Sequence, residues 1–209
     1  MKALSYFLII ILPPLIILSN FYYLFFNFNY WQKLLQKSGA YQTFTKEETD
    51  LKAKNVLGFY KNKNALDNDF FSSRSVQHLT DVKRALYLSL GYFILSFTVS
   101  GIIIAHLLIR KKTKLFLLSL AIGFGITAVL ISALGLGLAK GFDRFFLIFH
   151  KTVFTNNLWA FPPDDNLIKL FPTQFFVLFA DRLAIQIILI SVSISVLAFI
   201  FRKKLYDSA

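Results

Sequence analysis

The sequence predicts an all-α integral membrane protein with four transmembrane helices and an extracellular cap. Three observations carry that expectation: composition, four long apolar runs, and basic residues flanking those runs. The chain of 209 residues is 56% hydrophobic, 17% aromatic and 16% charged, with mean hydropathy +0.59. A soluble domain carries about a quarter charged residues. So much apolar surface exceeds what one core can bury, and lipid is the medium that accepts it. The same composition excludes a disordered tail, a collagen-like fibre and a disulfide scaffold.

A bilayer core of about 30 Å needs about 20 apolar residues in a helix. Four runs meet that length, at approximately residues 3–26, 85–109, 115–138 and 183–201. The first is interrupted by Pro13-Pro14, which removes two backbone donors and predicts a kink. It is too long for a signal-peptide core, and no small-x-small cleavage site follows it, so a retained span is expected. Runs two and three are joined by Arg110-Lys111-Lys112-Thr113-Lys114, and run four is followed by Arg202-Lys203-Lys204. With Lys2, these short basic flanks place both termini in the cytoplasm, because charges near span ends dominate orientation. Residues 27–84 and 139–182 are then outside and expected to meet as the cap, with 1–209 forming a single membrane domain.

The outer segments have readable local signals. Phe28, Tyr30, Trp31, Tyr41 and Phe44 suggest an interface anchor. Thr45 followed by Glu48 fits a capping box for a helix to about Leu57, and Lys61 to Asp69 reads as a turn. Ser75 is a candidate cap for a helix running into the second span, which puts His78 and Asp81 three apart on one face. Phe142, Phe145, Phe146, Phe149 and Val153 form one helical stripe with His150 at its edge.

Much familiar chemistry is missing from the sequence. There is no cysteine, hence no disulfide, thiolate metal site or thiol nucleophile. There is no G-x-S-x-G elbow, phosphate loop or paired metal-ligand spacing, and no metal or cofactor is expected. The net charge of +12 lies beside apolar runs, which indicates topology and anionic lipid rather than nucleic acid. Gly137 and Gly141 make one G-x-x-x-G, read as close helix packing. Of the three histidines, His106 lies near the cytoplasmic end of the second span and receives no role. His78 and His150 sit on different outer segments at the membrane edge, and imidazole is the side chain that exchanges protons near neutral pH. They form a candidate acid/base pair, beside the plainer reading of two surface histidines. On the residues alone, Asp81 reads as a helix-surface charge or an orienter, Asn156-Asn157 as a turn, Trp159 as packing, and Asp164-Asp165 as a turn and helix cap.

The element His78-Leu79-Thr80-Asp81-Val82 resembles the H-x-x-D-V element of the bacterial lipoprotein intramolecular transacylases (Lit). The segment Phe149 to Trp159, followed by Leu167-Ile168-Lys169-Leu170-Phe171-Pro172, resembles that family's second signature. The resemblance implies an enzyme of the bacterial plasma membrane, acting at its extracellular face on diacylglyceryl-modified lipoproteins. It implies transfer of the sn-2 acyl chain to the α-amino group of the N-terminal cysteine, giving a lyso-form lipoprotein. It also implies that His78 and His150 are catalytic, with Asp81, Asn156, Asn157 and Trp159 supporting them or shaping the pocket. The expected partners are the lipoprotein substrate and membrane lipids, the expected state a monomer. Two alternatives stay open: a non-enzymatic accessory or lipid-binding protein, which would hold the two histidines far apart, and a metal-dependent membrane hydrolase using both with Asp81 or Asp143.

Overall fold

In a computed structural model that describes residues 1–207, the chain is helical throughout its regular structure, with no strand among the described residues. Among the described residues eight helices follow in order: α1 (Lys2–Phe25), α2 (Phe28–Ser38), α3 (Ala40–Thr43), α4 (Lys46–Tyr60), α5 (Ser73–Ile109), α6 (Thr113–Val153), α7 (Asn166–Leu170) and α8 (Thr173–Asp207). Four of them, α1, α5, α6 and α8, are long and apolar enough to cross a membrane. Helices α5, α6 and α8 have 37, 41 and 35 residues. At about 1.5 Å per residue each exceeds a bilayer core, so each has a part that is not spanning.

The chain divides into two compact units. The first contains Met1–Tyr22, Ser89–Ala139 and Leu183–Ala209; the second contains Tyr23–Leu88 and Lys140–Arg182. The second unit thus joins two stretches that are distant in sequence.

In the first unit Leu8, Leu12, Ile103, Leu107 and Phe124 pack as a buried cluster. Many large apolar side chains point outward instead, among them Ile102, Val129 and Leu189. That reversal suits a solvent of hydrocarbon, in which helix association depends on close packing and buried polar contacts. The Ser5 and Ser119 hydroxyls meet at 2.6 Å, and Ser195 donates to the Ala121 carbonyl at 2.7 Å. A Cβ added at Gly123 would lie 2.9 Å from a Leu12 methyl, so glycine permits the approach of α1 to α6. Helix α1 runs through Pro13 and Pro14 as continuous helix.

The second unit is built around aromatic side chains. Trp31 is buried and meets Phe25, Phe171 and Phe175 edge to face, at 5.4–5.8 Å between centroids. It is a core residue, which corrects the expectation of an interface anchor at this position. Asn27 caps α2 by accepting from the Tyr30 amide, and Gly39 ends it at φ 86°, where glycine has no Cβ to clash. Thr45 caps α4 by accepting from the Glu48 amide, and that helix reaches Tyr60, one turn past its expected end. The buried Asp50 carboxylate accepts from Gln32 at 2.6 Å, Tyr41 at 2.8 Å and Lys46 at 3.2 Å. Lys52 pairs with Asp67 at 2.6 Å across the turn that follows α4.

Two further expectations are corrected. Helix α5 is capped by Ser72, whose hydroxyl accepts from the Ser75 amide at 3.1 Å; Ser75 lies inside the helix. Gly137 and Gly141 have no neighbour within reach of an added Cβ, so they do not mark a close helix contact. Gly141 instead breaks α6: its backbone is non-helical, and α6 bends there. The stripe Phe142 to Val153 is therefore a separately directed piece of helix.

Candidate active site

The site is assembled within the second unit from the start of α5, the end of α6 and the loop after it. Arg74, Asp81, Lys83 and Arg84 crowd the beginning of α5, so its apolar span starts at Ala85. Lys140, Asp143 and Arg144 end the span of α6 before its last turns. His78 and His150 both lie on these polar extensions, outside the apolar runs.

The two imidazoles come together. Their ring centroids are 6.0 Å apart with planes inclined at 33°. Each is about 7–8% exposed. Phe154 contacts both rings, at 5.2 Å from His78 and 5.6 Å from His150. Phe161 adds a contact to His78 at 5.5 Å; Phe146 lies at 4.0 Å and Trp159 at 5.2 Å from His150. The enclosure is aromatic, so charge on either ring is poorly solvated.

Local structure fixes one tautomer. His150 Nδ1 lies 2.8 Å from the carbonyl of Phe146, one turn earlier on α6. A carbonyl only accepts, so Nδ1 carries the hydrogen and Nε2 keeps the lone pair. His78 differs: its Nδ1 is buried and has no hydrogen-bond partner among the described residues. An unpaired buried nitrogen is costly unless a ligand completes it.

The supporting residues form a network. Asn156 donates through Nδ2 to Asp81 at 2.8 Å, and its Oδ1 accepts from the Leu158 amide at 3.0 Å. Trp159 Nε1 donates to the Asn156 carbonyl at 2.8 Å, which sets the indole against His150. Asp81 is thus held by Asn156 rather than hydrogen-bonded to His78, and it acts on that ring only through its charge. Asn157 contributes its backbone: its carbonyl accepts from the Arg74 guanidinium, and the Leu158 carbonyl accepts from Arg74 Nε at 3.3 Å. Asp165 caps α7 and also accepts from Ser72 at 2.7 Å and Ser75 at 2.8 Å, tying the loop to the start of α5. The sequence reading gave Asp165 its cap but not its link to α5, and gave Arg74 no role. The signal for Arg74 was present, since Arg74, His78 and Asp81 follow the i, i+4, i+7 spacing of one helix face. A groove of about 310 Å³ lined by Asn68, Phe71, Ser73, Val76 and Gln77 opens at the same end of α5, but neither imidazole lines it. No group of three or more His, Cys, Asp or Glu side chains among the described residues is placed to hold a metal ion.

Burial pulls the His78 imidazole well below its ordinary value of 6.5; nearby His150 pulls it further, and Asp81 opposes both. Burial lowers His150 as well, against the opposing effect of the Phe146 carbonyl. Burial therefore favours the neutral form of both rings. The unfolded chain binds protons at about 6.5, so their contribution is complete above that pH and is lost as pH falls through the lowered folded values. The melting temperature of the purified protein is expected to drop between pH 7 and pH 5, and to drop less in His78→Asn. Equal acid sensitivity of the two proteins contradicts this.

Four helices long and apolar enough to cross a membrane define an all-helical integral membrane protein, and its second unit holds a buried pair of imidazoles. Residues 1–176 match the family profile of the lipoprotein intramolecular transacylase Lit. A protein from Aquifex aeolicus (strain VF5), named only as uncharacterised, is 32% identical over 107 residues; the match covers 50% of this chain and 45% of that protein, so this chain spans under half of that relative's length. The solved structure of Lit from Bacillus cereus superposes with TM-score 0.78 at 21% identity, over 100% of this chain and 98% of that one. Two forms of the same protein with a single histidine replaced, by alanine or by arginine, give TM-scores of 0.74 and 0.69 at 22% identity; they cover 99% and 98% of this chain, and 94% and 92% of theirs. The chain belongs to the lipoprotein intramolecular transacylase family.

Proposed function

We propose that this protein is a lipoprotein intramolecular transacylase whose chemistry is carried by His150 and His78. The observation that carries the reading is the approach of two buried imidazoles to 6.0 Å, one with its tautomer set by the Phe146 carbonyl. The substrate is a diacylglyceryl-modified lipoprotein. Its free α-amine attacks the carbonyl of the sn-2 ester; the new C–N bond forms, the C–O bond to glycerol breaks, and the amine proton ends on the glyceryl oxygen. The products are an N-acylated cysteine and a free sn-2 hydroxyl, the lyso form.

Nucleophile and ester belong to one molecule, so the enzyme needs no serine or cysteine of its own. Ring closure through about eight atoms is entropically unfavourable in solution, and a rigid enclosure offsets that cost. His150 Nε2 holds the free lone pair and is the general base for the amine. His78, neutral and with an unpaired Nδ1, offers a hydrogen bond to the oxyanion or to the departing oxygen. Asn156 restrains Asp81, whose charge favours a proton on His78 as the oxyanion develops. Trp159 and the phenylalanines exclude water that would otherwise hydrolyse the ester. We place the site at the extracellular face of the bacterial plasma membrane, with both termini cytoplasmic.

The test is conversion of a purified diacylglyceryl lipopeptide followed by mass spectrometry. The expected product has the same mass as the substrate and an acylated amine, distinguished by fragmentation, and its yield is unchanged by chelator. A free fatty acid released at the expense of amide, or loss of turnover with chelator, would reject the reading in favour of a hydrolase.

A further inference from the structure

The loop after α6 touches α5 at two places, one on either side of His78. Arg74 lies one turn before His78 and donates from its guanidinium to the consecutive carbonyls of Asn157 and Leu158. Asp81 lies one turn after it and accepts from Asn156 at 2.8 Å. Three successive loop residues are thereby stitched across the helix face that carries His78. The next residue is Trp159, whose indole is tied back to the Asn156 carbonyl and lies 5.2 Å from the His150 ring. The position of the indole against His150 depends on where the stitch holds the loop.

Arg74 is suited to that task. Its fork presents donors in a fixed plane and can serve two adjacent carbonyls together, which a lysine ammonium does with less geometric definition. Arg74 is exposed, and its hydrogen bonds go to the loop carbonyls rather than to either imidazole.

We propose that Arg74 is a positioning residue for the acyl transfer, acting through the Asn157 and Leu158 carbonyls to hold Trp159 against His150. For its activity readout this rests on the transacylase reading; its spectroscopic readout does not. Geometric errors of about 1 Å at a reacting centre cost on the order of 10²-fold in rate.

The experiment uses the full chain in detergent in a Trp31→Phe background, which leaves Trp159 as the single tryptophan of the original two. A protonated imidazole beside an indole quenches its emission, so acidification gives a step in Trp159 fluorescence that reports His150. Arg74→Ala is expected to lose most of that step. Its kcat on the lipopeptide should fall roughly 10²-fold, with KM moved by less than about threefold. Arg74→Lys should recover part of both. Turnover of Arg74→Ala within about twofold of the parent overturns the proposal whatever the emission does, as does a rise in KM with kcat unchanged. If Arg74→Ala fails to fold, Arg74→Lys decides: a weakened step with reduced kcat supports the proposal, and parental behaviour in both overturns it. If the parent protein itself makes no lyso product, the transacylase reading fails, while the emission step still decides whether Arg74 holds the loop.

Discussion

Replacing His150 by alanine is expected to slow acyl transfer by roughly 10²–10⁴-fold, the usual worth of a positioned general base. The expectation follows from the lone pair on Nε2, which the Phe146 carbonyl leaves free by holding the proton at Nδ1. The loss should appear in kcat, because the ring acts on a proton that moves only as the C–N bond forms. His78→Ala removes a donor to developing negative charge and should cost a similar factor. Both rings act in one step, so the double variant should be little slower than the worse single one. Single-turnover conversion followed by mass spectrometry checks this. Independent, multiplying losses would show that the two rings do not share a transition state, and a parental rate in either variant would remove that histidine from the chemistry.

Asp165→Ala should be the most destabilising single change in the loop after α6, costing about 3 kcal/mol. The carboxylate accepts from two hydroxyls, Ser72 and Ser75, and from the Leu167 amide. Hydrogen bonds to a charged group contribute about 1.5–3 kcal/mol each, and partial exposure of this one reduces the sum. The Ser75 hydroxyl is fully buried, so removing its acceptor weakens the satisfaction of a group that water cannot reach. Asp165→Asn keeps one acceptor oxygen and should lose about half as much. Denaturation of the purified protein measures both, and a change under about 0.5 kcal/mol for the alanine variant would show that the start of α5 holds the loop without this carboxylate.

The membrane spans were legible because lipid imposes a length and a composition, and four runs of the chain satisfy both. The histidines were legible because few side chains exchange protons at neutral pH and two lay on segments expected to meet. What the sequence left open is direction. His78 and Asp81 share a helix face, and spacing alone suggested that they bond; the carboxylate instead takes the Asn156 amide, a partner 75 positions away. Trp31 has the composition of an interface residue, yet Phe171 and Phe175 arrive from a distant segment and enclose it. Gly137 and Gly141 fit a packing motif, but Gly141 serves a bend in α6. Local spacing fixes which residues share a face, and only the long-range fold decides what covers it.

The hydrogen bond that orients the His150 ring, the base of the proposed reaction, comes from the main chain of its own helix. In a triad that duty falls to a carboxylate, which a single codon change can delete. Here no side-chain replacement elsewhere removes the orienting group, because every residue at position 146 presents the same oxygen. If the proposed chemistry holds, this third group leaves no trace when homologues are aligned, and scanning mutagenesis finds two essential positions where three groups cooperate. Only a change to the peptide bond itself, such as an ester in place of the amide after Phe146, would weaken that acceptor and let the ring choose its other tautomer.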